Sequence, residues 1–445
     1  MRLNKPDRPT LRRLSRRRLL EASLLLPVAA VTFGSGPSPA TVNHGAAPRG
    51  AAPRIVVVGG GFGGATAARY LRRWAPQARV TLVLGDAPYW TCPFSNLAIV
   101  GERTVASLEV SHEALGALGI ELVRQQARDF DPVRRQLELD DGQRLDWDRL
   151  VLAPGVDIRT DAIEGHGQES VKTFPHGWQA GPGTALLRRR LEAVPDGGLV
   201  AITVPEAPYR CPPGPYERAS LMAWWLARHR PRARLVILDA NAGFTKDALF
   251  LDAWRREHAG RVEWIGRDDG GSLRRVDPAR GSLHTDFDDW RPDLACVIPP
   301  QRAGAIARRA DLDGGSGWCA VDPRSFESRV HPGIHVIGDA AIASPMPKSA
   351  FAAGSQARVC AAAIAAALRE APAPEAVLMN TCYSLLTPGE AISITGSYRA
   401  DADGIHPQSG TTGVSPADPD GRIRRAEAGH AQGWYASARL DAFGS

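Results

Sequence analysis

Six cysteines are the residues of this chain best suited to redox chemistry, and their spacing limits what that chemistry can be. No C-x-x-C pair and no C-x-x-C-H sequence occurs, so the sequence predicts no cysteine zinc site or other metal site and no attachment site for a c-type haem. Sequence alone does not fix their pairing, and each could be a small buried residue or half of a structural bridge. The six are Cys92, Cys211, Cys296, Cys319, Cys360 and Cys382.

A glycine-rich turn follows the first strongly apolar segment of the chain. Residues 55–58 are all aliphatic, the motif Gly59-x-Gly61-x-x-Gly64 comes next, and a helical pattern begins directly after it. In this context the first glycine makes the turn, the second admits a pyrophosphate, and the third lets helix and strand pack closely. The motif therefore predicts dinucleotide binding, although the position expected for a ribose-binding acid holds Leu84, with Asp86 as the nearest candidate.

Two further segments favour FAD over NAD as that dinucleotide. Gly338 and Asp339 follow an apolar strand far from the first motif and resemble the second FAD fingerprint of flavoproteins with two dinucleotide domains, where the aspartate binds the ribityl chain. Asp339 could instead be an ordinary turn or N-cap residue. After a second buried strand ending at Val204 comes a proline-rich segment in place of a glycine loop. Prolines cannot donate backbone N–H groups to a pyrophosphate, so NAD(P)H is disfavoured.

The charge of the chain is concentrated at its N-terminus. The formal net charge is +6, but residues 1–50 hold nine basic and two acidic residues, which leaves 45 basic and 46 acidic residues elsewhere. Net charge therefore does not support a nucleic-acid partner. Paired arginines in Ser15–Leu20, an apolar run over 22–33 and small residues near 38–40 resemble a twin-arginine signal. We expect export to the periplasm and no integral membrane segment in the mature chain, although a merely basic N-terminus is the alternative.

The strand and helix patterns predict an α/β protein with two dinucleotide-binding, glutathione-reductase-like domains, each around a parallel sheet, and a C-terminal appendage domain. Both predicted β-α-β units have the length and apolar patterning that this architecture requires. The predicted segments are a signal peptide and linker at 1–50, the first part of the FAD domain at 51–165, a second nucleotide-binding-like domain without a glycine loop at 166–293, the second part of the FAD domain at 294–375, and the C-terminal flavocytochrome or interface domain at 376–445.

From about residue 54 to its C-terminus the chain resembles the flavoprotein subunit of flavocytochrome c sulfide dehydrogenase. The resemblance is carried by long motifs that occur in a fixed order. They are Tyr89-Trp-Thr-Cys-Pro-Phe-Ser-Asn96, Cys211-Pro-Pro-Gly-Pro-Tyr-Glu-Arg-Ala-Ser220, Pro299-Pro-Gln-Arg-Ala-Gly304, Gly338-Asp-Ala-Ala-Ile-Ala-Ser-Pro-Met-Pro-Lys-Ser349 and Asn380-Thr-Cys-Tyr-Ser-Leu-Leu386.

The resemblance implies a role for three of the cysteines and for a partner. Cys92 matches the residue that is joined to the flavin 8α position by a thioether, so the FAD would be covalent. Cys211 and Cys382 match a redox disulfide that hydrosulfide attacks, giving a persulfide on one cysteine and a thiolate that passes electrons to the flavin. The family also implies a separate c-type cytochrome subunit that carries the haem. Sulfide would be the substrate, and sulfur or polysulfide the product.

Two charged residues near these motifs are further candidates for the site. Glu217, six residues after Cys211, could move protons near the disulfide, or it could be a surface or N-cap residue. Lys348, one of four lysines, could place a positive charge near the N1–C2 edge of the flavin, or it could be solvent-exposed. Trp434 and Tyr435 could anchor the subunit interface or lie in the core. The other three cysteines are interpreted as small buried residues.

Two rival functions remain open at this point. A sulfide:quinone reductase shares the sulfur chemistry but passes its electrons into a membrane, and the polar tail over 387–421 offers no apolar docking surface. A non-catalytic flavin-bearing assembly subunit would instead use its disulfides only for structure. The sequence favours sulfide oxidation coupled to a cytochrome.

Overall fold

Two parallel β-sheets form the framework of the computed structural model, which describes residues 51–418 and 420–444. The predicted signal peptide and linker at 1–50 lie outside the described residues. The strands are β1 (Arg54–Val58), β2 (Arg79–Val83), β3 (Tyr89–Trp90), β4 (Glu109–Val110), β5 (Glu121–Val123), β6 (Ala127–Asp131), β7 (Gln136–Leu139), β8 (Arg144–Asp146), β9 (Arg149–Leu152), β10 (Val156–Ile158), β11 (Leu199–Val204), β12 (Arg234–Asp239), β13 (Val262–Ile265), β14 (Arg275–Asp277), β15 (Ser282–His284), β16 (Asp289–Trp290), β17 (Leu294–Val297), β18 (Gln301–Ala303), β19 (Ile334–Val336), β20 (Ala376–Thr387), β21 (Glu390–Ala400), β22 (Ile405–Pro407) and β23 (Gly413–Val414). The helices are α1 (Phe62–Trp74), α2 (Ser95–Ile99), α3 (Glu113–Ala117), α4 (Pro182–Glu192), α5 (Gly214–His229), α6 (Asp247–Glu257), α7 (Ala350–Ala367) and α8 (Arg422–Phe443).

The first sheet combines strands from two distant parts of the chain in the order β19-β9-β1-β2-β5, with every neighbouring pair parallel. After Arg54, strand β1 is aliphatic and buried, because both faces of a central parallel strand are covered. Helix α1 packs on this sheet through Gly63, Gly64 and small alanines. Its last turn carries Arg72 and Arg73, and basic side chains there interact favourably with the helix dipole. The predicted α/β fold with parallel sheets is confirmed.

The second sheet has the order β13-β12-β11-β17 and is also parallel. Its helix α5 begins in the proline-rich turn after β11, and Pro215 occupies the first helical turn, where a missing N–H costs nothing. Strand β17 (Leu294–Val297) pairs with β11 in this sheet, so the predicted start of the returning FAD domain at residue 294 was too early. A short buried apolar strand has the same pattern in either sheet, which explains the error.

The C-terminal segment is a long antiparallel hairpin, β20–β21, followed by α8. Burial alternates along β20, and the buried set packs against α5 and α7. Tyr435 of α8 is buried, its hydroxyl lies 2.5 Å from Thr91 Oγ1, and its ring lies 4.6 Å from that of Phe94. Of the two readings for Tyr435, interface anchor or core residue, the structure therefore supports the core.

Helix α7 is the one helix among the described residues that is long and apolar enough to cross a membrane by length and composition. About two thirds of it is buried in the protein, against α1 and β20, as in a core helix. Its N-cap is Ser349, whose hydroxyl accepts a 3.0 Å hydrogen bond from the backbone N–H of Ala352. This cap fixes the N-terminus of α7 next to the segment that carries Asp339.

Candidate active site

A cavity of about 610 Å³ lies where the first sheet, the turn before α5 and the β20–β21 hairpin meet. Its volume falls within the range of cofactor sites. It lies at the carboxyl ends of β1 and β19, where open parallel sheets bind their ligands. Predicted site residues that line it are Gly59, Gly61, Cys92, Cys211, Glu217, Asp339 and Cys382.

The glycine turn can be built only from glycine at two of its positions. Gly59 has a φ of +107°, and a Cβ there would lie 2.3 Å from the carbonyl oxygen of Ala153. A Cβ on Gly64 would lie 1.8 Å from the carbonyl oxygen of Gly59, so this glycine lets α1 approach β1. His112, which sequence reasoning missed, donates from Nε2 to the Gly60 carbonyl oxygen at 2.7 Å and holds the turn in place.

The end of β2 is apolar where a ribose-binding acid was sought. Leu84 and Gly85 line the cavity, whereas Asp86 is exposed and is not part of its wall. The nearest acidic candidate from the sequence is therefore not on the cavity wall.

Asp339 gives the most direct sign that the cavity is built for a polar ligand. Its Oδ1 is buried with no hydrogen-bond partner in the protein, and burial raises the pKa of its carboxyl, although Arg210 and Lys348 oppose that shift. A buried carboxylate oxygen without a donor is costly, and a ribityl hydroxyl would remove that cost. Gly338, with φ +72°, is fixed by its N–H donating to Gln356 Oε1 at 2.8 Å. These features fit FAD.

Cys92 lies on the wall of the same cavity, between β3 and α2. It is half-buried, and its Sγ lies 3.9 Å from the carbonyl oxygen of Trp178. Phe94, two residues later, has a φ of +67°, so the chain turns sharply here and presents the thiol to the cavity instead of continuing the strand.

Cys211 is held by the proline-rich turn that replaces a glycine loop. Its backbone is in the left-handed region, with φ +57°, and its N–H donates to the carbonyl oxygen of Lys348 at 2.7 Å. The side chain is exposed to the cavity. Burial raises the pKa of its thiol, and negative charge at Glu217 and Cys382 raises it further.

Cys382 reaches the cavity from the β20–β21 hairpin. It pairs in register with Ile394, and its side chain is nearly buried. Asn380 Nδ2 donates to its Sγ at 3.3 Å. All six cysteines are free thiols in the structure, and Cys211 and Cys382 face one cavity from separate elements.

Glu217 lies on the cavity wall, and both of its oxygens are engaged. Oε1 accepts from Asn96 Nδ2 at 2.8 Å, and Oε2 accepts from the backbone N–H of Leu385 at 3.2 Å. Burial raises the pKa of Glu217, while these hydrogen bonds and the charge of Lys246 oppose the shift. Glu217 is therefore part of the cavity wall and not a surface residue, and its role in proton transfer stays a prediction.

Lys246 was not singled out in the sequence, and it contacts the Cys382 segment directly. Its Nζ donates to the carbonyl oxygen of Cys382 at 3.0 Å and to Ser384 Oγ at 2.7 Å. The side chain is buried, and burial lowers the pKa of its ammonium to about 8. The scarcity of lysine in an arginine-rich chain was the one available signal.

Lys348 lies next to the cavity wall and not on it, and its predicted place near the flavin edge stays a prediction. It lines a neighbouring cavity of about 680 Å³, next to Trp318, and is absent from the wall that holds Cys92 and Cys211. Its Nζ donates to the carbonyl oxygens of Asp339 at 2.7 Å and Ala341 at 3.0 Å and lies 3.8 Å from the centre of the Trp318 ring. Two other cations, Arg210 and Arg218, lie on that wall.

The remaining cysteines are buried away from the cavity wall. Cys296 Sγ lies 3.1 Å from Arg218 Nη1, Cys319 donates to the carbonyl oxygen of Ala307 at 2.9 Å, and Cys360 is inside α7. In the described part of the chain no group of three or more His, Cys, Asp or Glu side chains is arranged to hold a metal ion.

Three family models match successive parts of the chain. The pyridine nucleotide-disulphide oxidoreductase model matches residues 53–179. The model for the central part of the sulfide dehydrogenase (flavocytochrome c) flavoprotein chain matches residues 184–299, and the flavocytochrome c sulphide dehydrogenase flavin-binding model matches residues 374–443. The second and third segments contain Cys211 and Cys382 respectively.

Individual proteins agree with these matches. The sulfide dehydrogenase (flavocytochrome c) flavoprotein chain of Chlorobaculum thiosulfatiphilum is 60% identical over 43 residues, which are 90% of that sequence and 10% of this chain. The mitochondrial sulfide:quinone oxidoreductase of Mus musculus is 22% identical over 323 residues, 68% of each chain. The crystal structure of the sulfide:quinone oxidoreductase of Aquifex aeolicus shares the fold, with a TM-score of 0.71 at 18% identity over 88% of this chain and 92% of that one. The chain is therefore an FAD-dependent oxidoreductase that belongs to the family of flavoprotein chains of flavocytochrome c sulfide dehydrogenase.

Proposed function

We propose that the protein oxidises sulfide through a redox disulfide between Cys211 and Cys382 and passes the electrons through FAD, bound covalently at Cys92, to a c-type cytochrome subunit. The observation that carries this proposal is that three cysteines from different parts of the chain line one cavity, together with the glycine turn and Asp339. Structural thiols have no reason to converge on a cofactor cavity.

The sulfur chemistry balances in three steps, two exchanges with hydrosulfide and one oxidation. Hydrosulfide attacks one sulfur of the disulfide, which leaves a persulfide on that cysteine and a thiolate on the other. A second hydrosulfide removes the outer sulfur of the persulfide as disulfane, the shortest polysulfide, and releases the second thiolate. Reforming the disulfide then gives up two electrons. FAD, when bound, supplies a two-electron acceptor that can release electrons singly. Glu217, with its raised pKa, is placed to take up and return protons in the cavity.

Membership of the flavocytochrome family supports the cytochrome partner, and the half-buried position of Cys92 on the cavity wall supports the thioether. The resemblance of the N-terminal residues to a twin-arginine signal supports export to the periplasm, where a lasting disulfide is permitted. A mass spectrum of the mature protein tests all three covalent features. We expect removal of the leader, the mass of FAD on the peptide that contains Cys92, and a bridge between Cys211 and Cys382. An unmodified Cys92 peptide would exclude the thioether.

Anaerobic titration with sulfide tests the reaction. We expect the flavin absorbance of the wild type to bleach with about one two-electron equivalent, and Cys211→Ser and Cys382→Ser to lose fast bleaching. Cys360→Ala is the matched control, because this cysteine is buried in α7, is not part of the cavity wall and should bleach like the wild type. A flavin that stays oxidised in the wild type and in both serine variants would refute the proposal.

A second function, sulfide:quinone reduction, is favoured by the similarity to the mouse and Aquifex aeolicus proteins. The two functions share the sulfur chemistry and differ in the acceptor. Sulfide-dependent reduction of cytochrome c without reduction of decyl-quinone supports the cytochrome pathway, and the opposite result supports the quinone pathway.

A further inference from the structure

The buried ammonium of Lys246 has only neutral hydrogen-bond acceptors. It lies next to Cys211 and Cys382, which are called the sulfur site below. Its Nζ contacts the carbonyl oxygens of Cys382 and Ile392, the latter at 3.5 Å, and Ser384 Oγ. It makes no salt bridge within residues 51–418 and 420–444. A buried cation normally has an anionic partner, because removing an unpaired charge from water is costly.

The backbone at Lys246 is set to aim this side chain at the hairpin. Lys246 has a φ of +65°, a conformation that non-glycine residues avoid, and it directly precedes helix α6. Its side chain joins the domain of the second sheet, which carries Cys211, to the strand that carries Cys382.

No other charged group described around the sulfur site places a positive charge against the Cys382 segment. Glu217 on α5 raises the pKa of the Cys211 thiol, and the charge of Glu427 on α8 opposes the lowering of the Lys246 pKa by burial. Arg210 is a cation, but its guanidinium donates to the carbonyl oxygen of Trp178 on the Cys92 side of the cavity. Tyr398 lies on β21 and is neutral at physiological pH, since burial raises its pKa. Lys246 is thus the cation that contacts the Cys382 segment.

We propose that Lys246 is a positioning residue that docks the Cys382 strand onto the second domain and supplies the positive charge that stabilises an anionic sulfur at Cys382, whether thiolate or persulfide. The inference rests on the proposed redox role of Cys382. Sulfide exchange must generate an anion on one cysteine and a persulfide on the other, and an opposite charge nearby favours either anion. The missing partner of the buried ammonium is the sulfur anion itself.

The test measures the ionisation of Cys382 in the full-length holoprotein with Cys211→Ser, so that no disulfide forms. A timed pulse of iodoacetamide over a range of pH, read by peptide mass spectrometry, reports the thiolate fraction at Cys382. We expect Lys246→Met to slow alkylation at pH 7 about tenfold and to move the profile to higher pH. Lys246→Arg should restore most of the rate.

Two further variants separate charge from packing. Ser384→Ala removes one hydrogen bond of Lys246 but keeps the charge, and it should leave the pH profile unchanged. Lys172→Met, at an exposed ion pair with Glu169, controls for general loss of a lysine. An unshifted profile in Lys246→Met, or an equal shift in Ser384→Ala, would overturn the inference. The readout does not use sulfide, so failure of the wild-type flavin to bleach would refute the proposed function while leaving this result interpretable.

Discussion

The side-chain amide of Asn96 joins Glu217 to Arg218, donating from Nδ2 to Glu217 Oε1 at 2.8 Å and accepting at Oδ1 from Arg218 Nε at 3.0 Å. Arg218 is fully buried, so its donor fixes which end of the amide faces the carboxylate. The chain thereby places an acid and a buried cation side by side in α5 without a direct ion pair between them.

Replacing Asn96 with Leu should destabilise the protein by about 1–3 kcal/mol, because a buried guanidinium N–H and a carboxylate oxygen would both lose a partner. Urea unfolding followed by circular dichroism measures the change. The control is Gln136→Leu, whose amide bonds Asp146 at the surface and should cost less than about 0.5 kcal/mol. An equal decrease in the free energy of unfolding in the two variants would show that the buried hydrogen bonds of Asn96 stabilise the protein no more than a surface hydrogen bond does.

Glu217→Gln should make Cys211 of the reduced enzyme more reactive. The carboxylate raises the pKa of the Cys211 thiol, so its removal should lower that pKa and raise the thiolate fraction at a given pH. We expect severalfold faster alkylation of Cys211 near pH 8, measured by peptide mass spectrometry. Glu263→Gln, on the exposed side of β13, should have no effect. Slower alkylation in Glu217→Gln would contradict the assigned electrostatics.

Gly64→Ala should abolish flavin binding. A methyl group there would meet the Gly59 carbonyl oxygen, so α1 must move away from the turn that faces the dinucleotide. The expected result is a purified protein with little flavin per chain, measured as the ratio of flavin to protein absorbance. Gly429→Ala, in α8 with open space around it, should keep its flavin and gain about 0.5–1 kcal/mol from helix propensity.

Acid should destabilise the protein partly through His176. Its Nδ1 accepts from the backbone N–H of Trp178 at 2.9 Å, and burial, with a smaller effect of Arg218, lowers the pKa of the imidazole to about 4. The unfolded chain, with a pKa near 6.5, binds the proton first. This contribution is therefore complete above about pH 6.5 and is lost as pH falls towards 4.

The non-titrating variant His176→Asn keeps an acceptor and should lose less stability than the wild type between pH 7 and pH 4.5, by about 1–2 kcal/mol. Thermal unfolding across this pH range measures the difference. The exposed His430→Asn should follow the wild-type curve. Parallel curves for His176→Asn and the wild type would show that this imidazole does not contribute.

The sequence predicted the elements whose signals are local. An aliphatic strand, the glycines that a tight turn requires and a following helix lie within twenty residues, and this unit was found where expected. The cysteines were identified because they sit in long motifs. Even so, the strand at 294–297 was assigned to the wrong sheet. A short apolar segment has the same sequence pattern whichever strand it pairs with.

What sequence could not predict are the contacts between distant segments. Lys246 meets a residue 136 positions away, and His112 meets the glycine turn from 52 positions away. The contacts of Lys348 were not predicted for a related reason. Its ammonium contacts two backbone carbonyl oxygens and the ring of Trp318, and these groups come together only once the fold is formed.

The three cavity-lining cysteines come from three successive parts of the chain, the last of them in a hairpin that begins at residue 376. A growing or truncated chain that ends before this hairpin has Cys92 and Cys211 but no third sulfur, and it lacks the backbone N–H of Leu385 that binds Glu217. If Cys211 and Cys382 form the proposed redox pair, reactivity toward sulfide requires that this hairpin has been synthesised and has docked. Sulfide-dependent bleaching of the flavin would then also report correct assembly of the chain.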